Sequence, residues 1–135
     1  MRKRTILIVI LTCLLIPVIS ILVITFLMMT EGSMPSDEEL VSISEKLIDD
    51  SKIILKKYPV EASLINEEEQ PESIKALSPL SLWVNHEGLY ILMKKRFVEG
   101  WGVFIPREDS EKYLEKTTIP SYDRIVKGIY KFYAD

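Results

Sequence analysis

The sequence predicts an α+β protein: an N-terminal transmembrane helix, then a two-layer domain with one long amphipathic helix packed on a three- or four-stranded, mostly antiparallel sheet. Three observations support this fold class. A run of 24 uncharged residues lies near the N-terminus, apolar residues then recur at helical spacing, and from Leu80 they alternate with a period of two. A chain of 135 residues has room for one such domain.

The apolar run, residues 6–30, is predicted to be a transmembrane signal-anchor helix that makes the lipid bilayer a partner of the protein. As a helix, 24 residues would extend roughly 36 Å, more than the ~30 Å hydrocarbon core of a bilayer. Pro17 is compatible with this, since transmembrane helices tolerate proline. The flank at residues 1–5 is basic and Glu31 follows the run. The positive-inside rule therefore predicts a single-pass cell-membrane protein with a cytoplasmic N-terminus and an extracytoplasmic C-terminal domain.

A cleaved signal peptide, which would make the protein secreted, is the alternative. The apolar core of a signal peptide is about 7–15 residues long and precedes a small-x-small cleavage site. Thr30-Glu31-Gly32 places small residues at both positions but a charge between them. The length of the run favours the uncleaved anchor.

Residues 31–36 are predicted to be a linker, and residues 37–135 the extracytoplasmic domain. The domain opens with a helix at about 37–57, for which Ser36 is the N-cap and Glu39 completes a capping box. Pro59 ends it. Its buried stripe is predicted to contain apolar residues three and four positions apart: Leu40, Ile43, Leu47, Ile54 and Tyr58. A single helical turn is expected at 73–77.

The sheet is predicted to begin with a hairpin whose strands are 80–84 and 89–93. A two-residue loop at His86-Glu87 or Glu87-Gly88 keeps the apolar residues of both strands on one face, and Gly88 is expected to supply a positive φ. A third strand covers 101–105, where flanking glycines suggest a bulge or a close backbone approach. A short helix at 122–127, ended by Gly128, and a last strand at 129–133 complete the domain.

His86 is the only histidine, and we interpret it as a turn residue. A membrane-tethered hydrolase that uses His86 with a serine or carboxylate is the alternative. The chain contains no zinc-ligand spacing, phosphate-binding glycine loop or nucleophile elbow. We therefore expect no catalytic residue, no metal and no cofactor. Residues 36–135 carry 14 Lys and Arg against 19 Asp and Glu, a net charge of −5. This balance argues against nucleic acid as a partner.

Both faces of the predicted sheet are apolar. One face can pack on the long helix, and the other is either covered by the tail helix with Ile125 and Val126 or exposed as a partner-binding patch. The sequence thus predicts a membrane-anchored protein that presents a binding domain, with a protein partner at or outside the membrane. The candidate partner-binding residues are aromatic, with one arginine: Trp83, Tyr90, Arg96, Phe97, Trp101 and Phe104.

The block "PESIKALSPLSLWVNHEGLYILMKKRFVEGWGVFIPRE" resembles a stretch of small uncharacterised bacterial proteins that carry it behind an N-terminal hydrophobic segment. It covers about the middle third of the chain and consists mainly of turn and core residues. The resemblance implies a membrane-anchored bacterial class. It brings no activity and no functional residues with it.

Overall fold

The structure, a computed structural model, describes residues 2–59, 63–108, 114 and 120–135; in the first helix it describes the side chains of Ile8 and of residues 11–26. The α-helices in these residues are α1 (Arg2–Met28), α2 (Asp37–Ser42), α3 (Ser44–Lys57) and α4 (Glu72–Ala76), with a 3₁₀ turn at Glu67–Glu69. The strands are β1 (Thr30–Gly32), β2 (Ser63–Leu64), β3 (Ser81–Val84), β4 (Gly88–Arg96), β5 (Glu99–Pro106), β6 (Ser121–Val126) and β7 (Ile129–Ala134).

All seven strands join one antiparallel sheet in the order β2-β3-β4-β5-β7-β6. Strand β1 pairs with the end of β4, where Thr30 lies opposite Arg96, and so continues the edge that β3 occupies. The class is α+β, but the prediction of three or four strands is wrong. The sequence reading missed β1 and β2, which are two or three residues long, and interpreted β6 as a helix.

The sheet separates two hydrophobic clusters. On one face, α2, α3 and α4 cover aliphatic residues of the central strands, among them Leu82, Leu89, Ile91 and Val103, which are completely buried. The opposite face, which we call the aromatic face, is formed by Trp83, Tyr90, Leu92, Phe104, Leu114, Tyr122, Tyr130, Phe132 and Ala134.

Helix α1 is 27 residues long and contains Pro17. Among the described residues, no helix combines the length and the hydrophobicity that crossing a bilayer requires. This finding contradicts the predicted signal-anchor span at residues 6–30. It also contradicts what depended on that span: the single-pass topology, the cell-membrane location and the bilayer as a partner through a span.

The predicted helix at 37–57 is divided into α2 and α3 at Ile43, whose φ of −104° and ψ of 2° are not helical. Ser36 caps α2 as predicted, since its hydroxyl accepts a hydrogen bond from the Glu39 amide at 3.1 Å. The hydroxyls of Ser42 and Ser44 donate to carbonyls three residues earlier, at distances of 2.7 and 2.8 Å. Such side-chain bonds compete with the helical ladder, which explains the break.

The hairpin between β3 and β4 confirms the two-residue loop at His86-Glu87, because the Asn85 amide donates to the Gly88 carbonyl at 3.0 Å. The Asn85 side chain also accepts bonds from the Glu87 and Gly88 amides. The reason expected for Gly88 was wrong, since its φ is not positive. A Cβ there would lie 2.8 Å from the Phe104 ring, so close packing requires the glycine.

The tail at 122–127 forms strand β6, not the predicted helix. It pairs with β7 across the turn at Lys127-Gly128, with a bulge between Arg124 and Val126. A strand, and not the expected helix, therefore supplies part of the cover of the sheet. Ile125 and Val126 pack against the aliphatic cluster, and Tyr122 packs on the aromatic face.

Candidate functional site

The six residues predicted to bind a partner separate into two groups. Trp83, Tyr90 and Phe104 lie together on the aromatic face, where Trp83 stacks on Tyr90 with ring centroids 5.2 Å apart. Tyr90 is 5% exposed and Phe104 is fully buried. These two rings pack against Phe132 and Tyr122, so this part of the predicted patch is core.

The other three residues, Arg96, Phe97 and Trp101, lie at the end of the β4–β5 hairpin. We call this region the hairpin-end surface and define it as Lys94, Arg96, Phe97, Val98, Glu99, Trp101 and Tyr133. Contacts link five of these side chains: Lys94, Trp101, Tyr133, Glu99 and Arg96. Arg96 Nε donates to Glu99 Oε2 at 3.1 Å, and the Tyr133 hydroxyl donates to Glu99 Oε1 at 3.3 Å.

Two aromatic rings and one ammonium group form the side of this surface. The Trp101 and Tyr133 centroids are 5.2 Å apart, and Lys94 Nζ lies 5.3 Å from the centroid of the Trp101 ring. The register of the sheet explains the contacts, because Trp101 lies opposite Tyr133 on β7 and opposite Lys94 on β4. Neighbouring carboxylates and partial desolvation, with desolvation the larger cause, raise the pKa of Tyr133.

Phe97 and Val98 form the two-residue tip of the hairpin, beyond the last pair of the ladder, Arg96 and Glu99. Their exposed fractions are 61% and 72%. Phe97 has a φ of 56°, a left-handed conformation that is strained for a bulky residue. Such strain persists only where the surrounding structure imposes it, and here the ladder and the Arg96–Glu99 ion pair hold the turn on both sides.

The sequence reading missed Val98 and Tyr133. Val98 directly follows Phe97. Recognising these two residues as the turn of a hairpin would have predicted that the Val98 side chain is exposed as well. Tyr133 could not be found from local sequence, because 34 positions separate it from its hydrogen-bond partner Glu99. Only the β5–β7 pairing brings them together.

His86 is exposed at the tip of the β3–β4 turn, and in the described part of the chain no side chain hydrogen-bonds to it. The adjacent Glu87 accepts a hydrogen bond from the Tyr90 hydroxyl at 2.5 Å, and the Tyr90 and Tyr122 hydroxyls are 2.7 Å apart. Burial first, then these bonds, raise the pKa of Tyr90 well above its usual range. The network joins the turn to β4 and β6.

No group of three histidine, cysteine or carboxylate side chains able to hold a metal ion occurs within the described ranges. The cluster at Glu69 is an ion pair and a hydrogen bond: its carboxylate accepts from Lys57 Nζ at 2.5 Å and from the Tyr58 hydroxyl at 2.8 Å. The Lys57 hydrogen bond is the main cause that lowers the pKa of Glu69.

Comparisons of the chain with protein-family models, with curated proteins and with solved structures find no match in any of the three.

Proposed function

We propose that the protein is a binding protein and not an enzyme, and that it engages a protein partner through the hairpin-end surface. One observation carries this proposal: Phe97 and Val98, two adjacent large apolar side chains, are 61% and 72% exposed at a turn. Burying such a side chain contributes roughly 1.5–3 kcal/mol.

The composition of the surface supports a protein interface. Interface hot spots are rich in tryptophan, tyrosine and arginine, and this surface contains Trp101, Tyr133 and Arg96 around the apolar tip. The β4–β5 ladder fixes the backbone on both sides of the tip, so docking the tip costs less conformational entropy than docking a long loop.

The chemistry of the surface indicates what the partner must offer. Phe97 and Val98 require an apolar pocket, and Lys94, for which the described residues contain no ion pair, favours a carboxylate at the rim of that pocket. A lipid surface is the other candidate for such a tip. It is less favoured, because Glu31 lies opposite Lys95 and Glu99 pairs with Arg96, which reduces the local positive charge.

Photocrosslinking tests the proposal. A photoreactive phenylalanine analogue is placed at Phe97 of the full chain in cells, and at Leu64 as the matched control. Leu64 is 70% exposed but lies on β2, at an edge strand and away from the β4–β5 turn. We expect a discrete protein adduct from position 97 and none from position 64.

A second variant separates specific docking from general adhesion. Lys94→Glu combined with the analogue at position 97 should weaken the adduct, because the reversed charge repels an acidic rim and Lys94 takes no part in the ion pair that holds the turn. Equal adducts from positions 97 and 64, or no protein adduct from position 97 together with sedimentation of the chain on vesicles containing phosphatidylglycerol, would refute a protein partner at this surface.

A further inference from the structure

A second surface, at the opposite end of β5 from the hairpin end, has the character of a small-molecule site. A cleft of about 500 Å³ lies between α3, the end of β5 and the β6–β7 turn. Ligand sites commonly have volumes of about 300–1,000 Å³, so the cleft is large enough for a small organic molecule.

The floor of the cleft is apolar. Ile48 and Leu55 contribute from α3, and Ile105 and Pro106 from β5. Leu55 and Ile105 belong to the aliphatic core, so the floor is the outer side of a packed layer. Such a floor offers an alkyl or aryl group a place away from water.

The rim of the cleft is cationic. Lys52 and Lys56 approach from α3 and Lys127 from the β6–β7 turn, against the single carboxylate of Glu108. Within the described residues Lys52 has one partner, Asp49 at 3.6 Å, and no ion pair occurs for Lys56 or Lys127. The fourth cation, Arg107, already donates to three backbone carbonyls.

We propose that this cleft binds an amphipathic anion: a molecule with an apolar body on Ile48, Leu55 and Ile105, and a carboxylate or phosphate head between Lys56 and Lys127. The two halves of such a ligand match the two halves of the cleft. A neutral apolar molecule would leave the lysines without partners, and an inorganic anion would leave the floor exposed to water.

Calorimetric titration of the full chain with decanoate, below its micelle concentration, tests the proposal. The control ligand is decyltrimethylammonium, which has the same chain length and the opposite charge. Because the apolar residues of α1 and the basic residues at 1–5 can themselves bind decanoate, the variants of the cleft described below, and not the ligand difference alone, locate the binding. We expect decanoate to bind more tightly, and octanoate to bind roughly tenfold or more weakly than decanoate because each buried methylene contributes about fourfold.

A double variant and a control variant test whether decanoate binds in the cleft. Lys56→Gln with Lys127→Gln should weaken decanoate binding by about two- to thirtyfold, the range expected for the loss of two exposed charge interactions. Lys46→Gln, on α3 but outside the cleft, is the matched control and should have no effect. All three substitutions are at exposed side chains and leave the fold intact. Equal affinities for the anion and the cation, or equal losses in the double variant and the control, would overturn the proposal.

Discussion

At the scale of single residues, Arg107 joins the end of β5 to the β3–β4 turn and to the end of α3. Its guanidinium donates to the carbonyls of Asn85 at 3.1 Å, of Leu55 at 2.8 Å and of Tyr58. Leu55 and Tyr58 end α3, where the last carbonyls lack helical partners. Arg107 thus caps the helix with a side chain from the sheet, and desolvation lowers its pKa.

Arg107→Ala should lower the free energy of unfolding by about 2–4 kcal/mol, because it leaves these carbonyls without their charged donor. Arg107→Lys should recover only part of the loss of stability. One ammonium group cannot donate both to the Asn85 carbonyl and to the carbonyls at the end of α3, as the planar guanidinium does. Urea denaturation measures both. A change under about 0.5 kcal/mol for Arg107→Ala, the size typical of surface substitutions, would contradict this role.

Gly100 and Gly102, the glycines on either side of Trp101, allow two matched substitutions to be compared. A Cβ at Gly102 would collide with the Ile91 carbonyl oxygen and would lie 2.5 Å from Phe132 Cε1. A Cβ at Gly100 would lie 3.0 Å from Leu92 Cδ1 and at an ordinary contact distance, 4.0 Å, from the Ala134 carbonyl oxygen. Gly102→Ala should therefore lower the free energy of unfolding by about 1–3 kcal/mol or more, and Gly100→Ala by clearly less, because the leucine can move. Equal losses in urea denaturation would contradict this difference.

Local sequence could indicate the Gly102 constraint but not the role of Arg107. The glycines on both sides of Trp101 predict either a bulge or a close approach, and the structure shows both: Gly102 packs on Phe132, and the register shifts between Leu92 and Lys94. Arg107 contacts residues 49 and 52 positions away, which no local pattern contains.

At the scale of elements, β6 shows how a bulge can imitate a helix. Tyr122, Ile125 and Val126 are spaced three and four apart, which is a helical pattern. The bulge between Arg124 and Val126 shifts the strand, so Tyr122 faces the aromatic cluster while Ile125 and Val126 face the aliphatic one. The period of two is lost, and with it the signal for a strand. In the regular strands β3 and β4 the period is intact, and the hairpin could be predicted.

The tyrosine network that joins the β3–β4 turn, β4 and β6 predicts a pH dependence. The folded protein raises the pKa of Tyr90, mainly by burial, and favours the neutral phenol. This stabilisation is complete below the unfolded pKa of about 10 and is lost as the pH rises above it. Each such tyrosine should lower the free energy of unfolding by about 1.4 kcal/mol per pH unit in that range.

Tyr90→Phe should flatten this alkaline loss by up to about 1.4 kcal/mol per pH unit. Urea denaturation between pH 9 and 12 measures it. The variant should be less stable at pH 8, by about 1 kcal/mol, because Glu87 and Tyr122 lose a partner. Parallel stability curves for the two proteins above pH 10 would contradict the account.

At the scale of the whole molecule, the two faces of the sheet are both occupied. Helices cover the aliphatic face, and the aromatic face buries Phe104, Phe132 and Leu114. The sequence correctly identified a second apolar face but could not show that its residues pack mainly on one another. The part of the predicted site that stays open, Arg96 and Phe97, is open because it lies beyond the end of the ladder.

Helix α1 differs from the rest of the molecule. Its described large hydrophobic side chains are 47–66% exposed, and they occupy every side of the helix. Helices that are apolar all round are normally covered, and the other described residues leave these side chains exposed. For this reason the tests of binding use the full chain with matched controls, so that adhesion through α1 is the same in each pair.

The affinity of the crosslinked partner for variants of the full chain tests the central claim most directly. Phe97→Asp should weaken binding by about thirtyfold or more, since truncating a hot-spot residue costs about 2 kcal/mol or more. Leu64→Asp, an equally polar change at an equally exposed site, should change the affinity by less than about twofold. Equal affinities for Phe97→Asp and the unmodified chain would contradict binding through the hairpin-end surface.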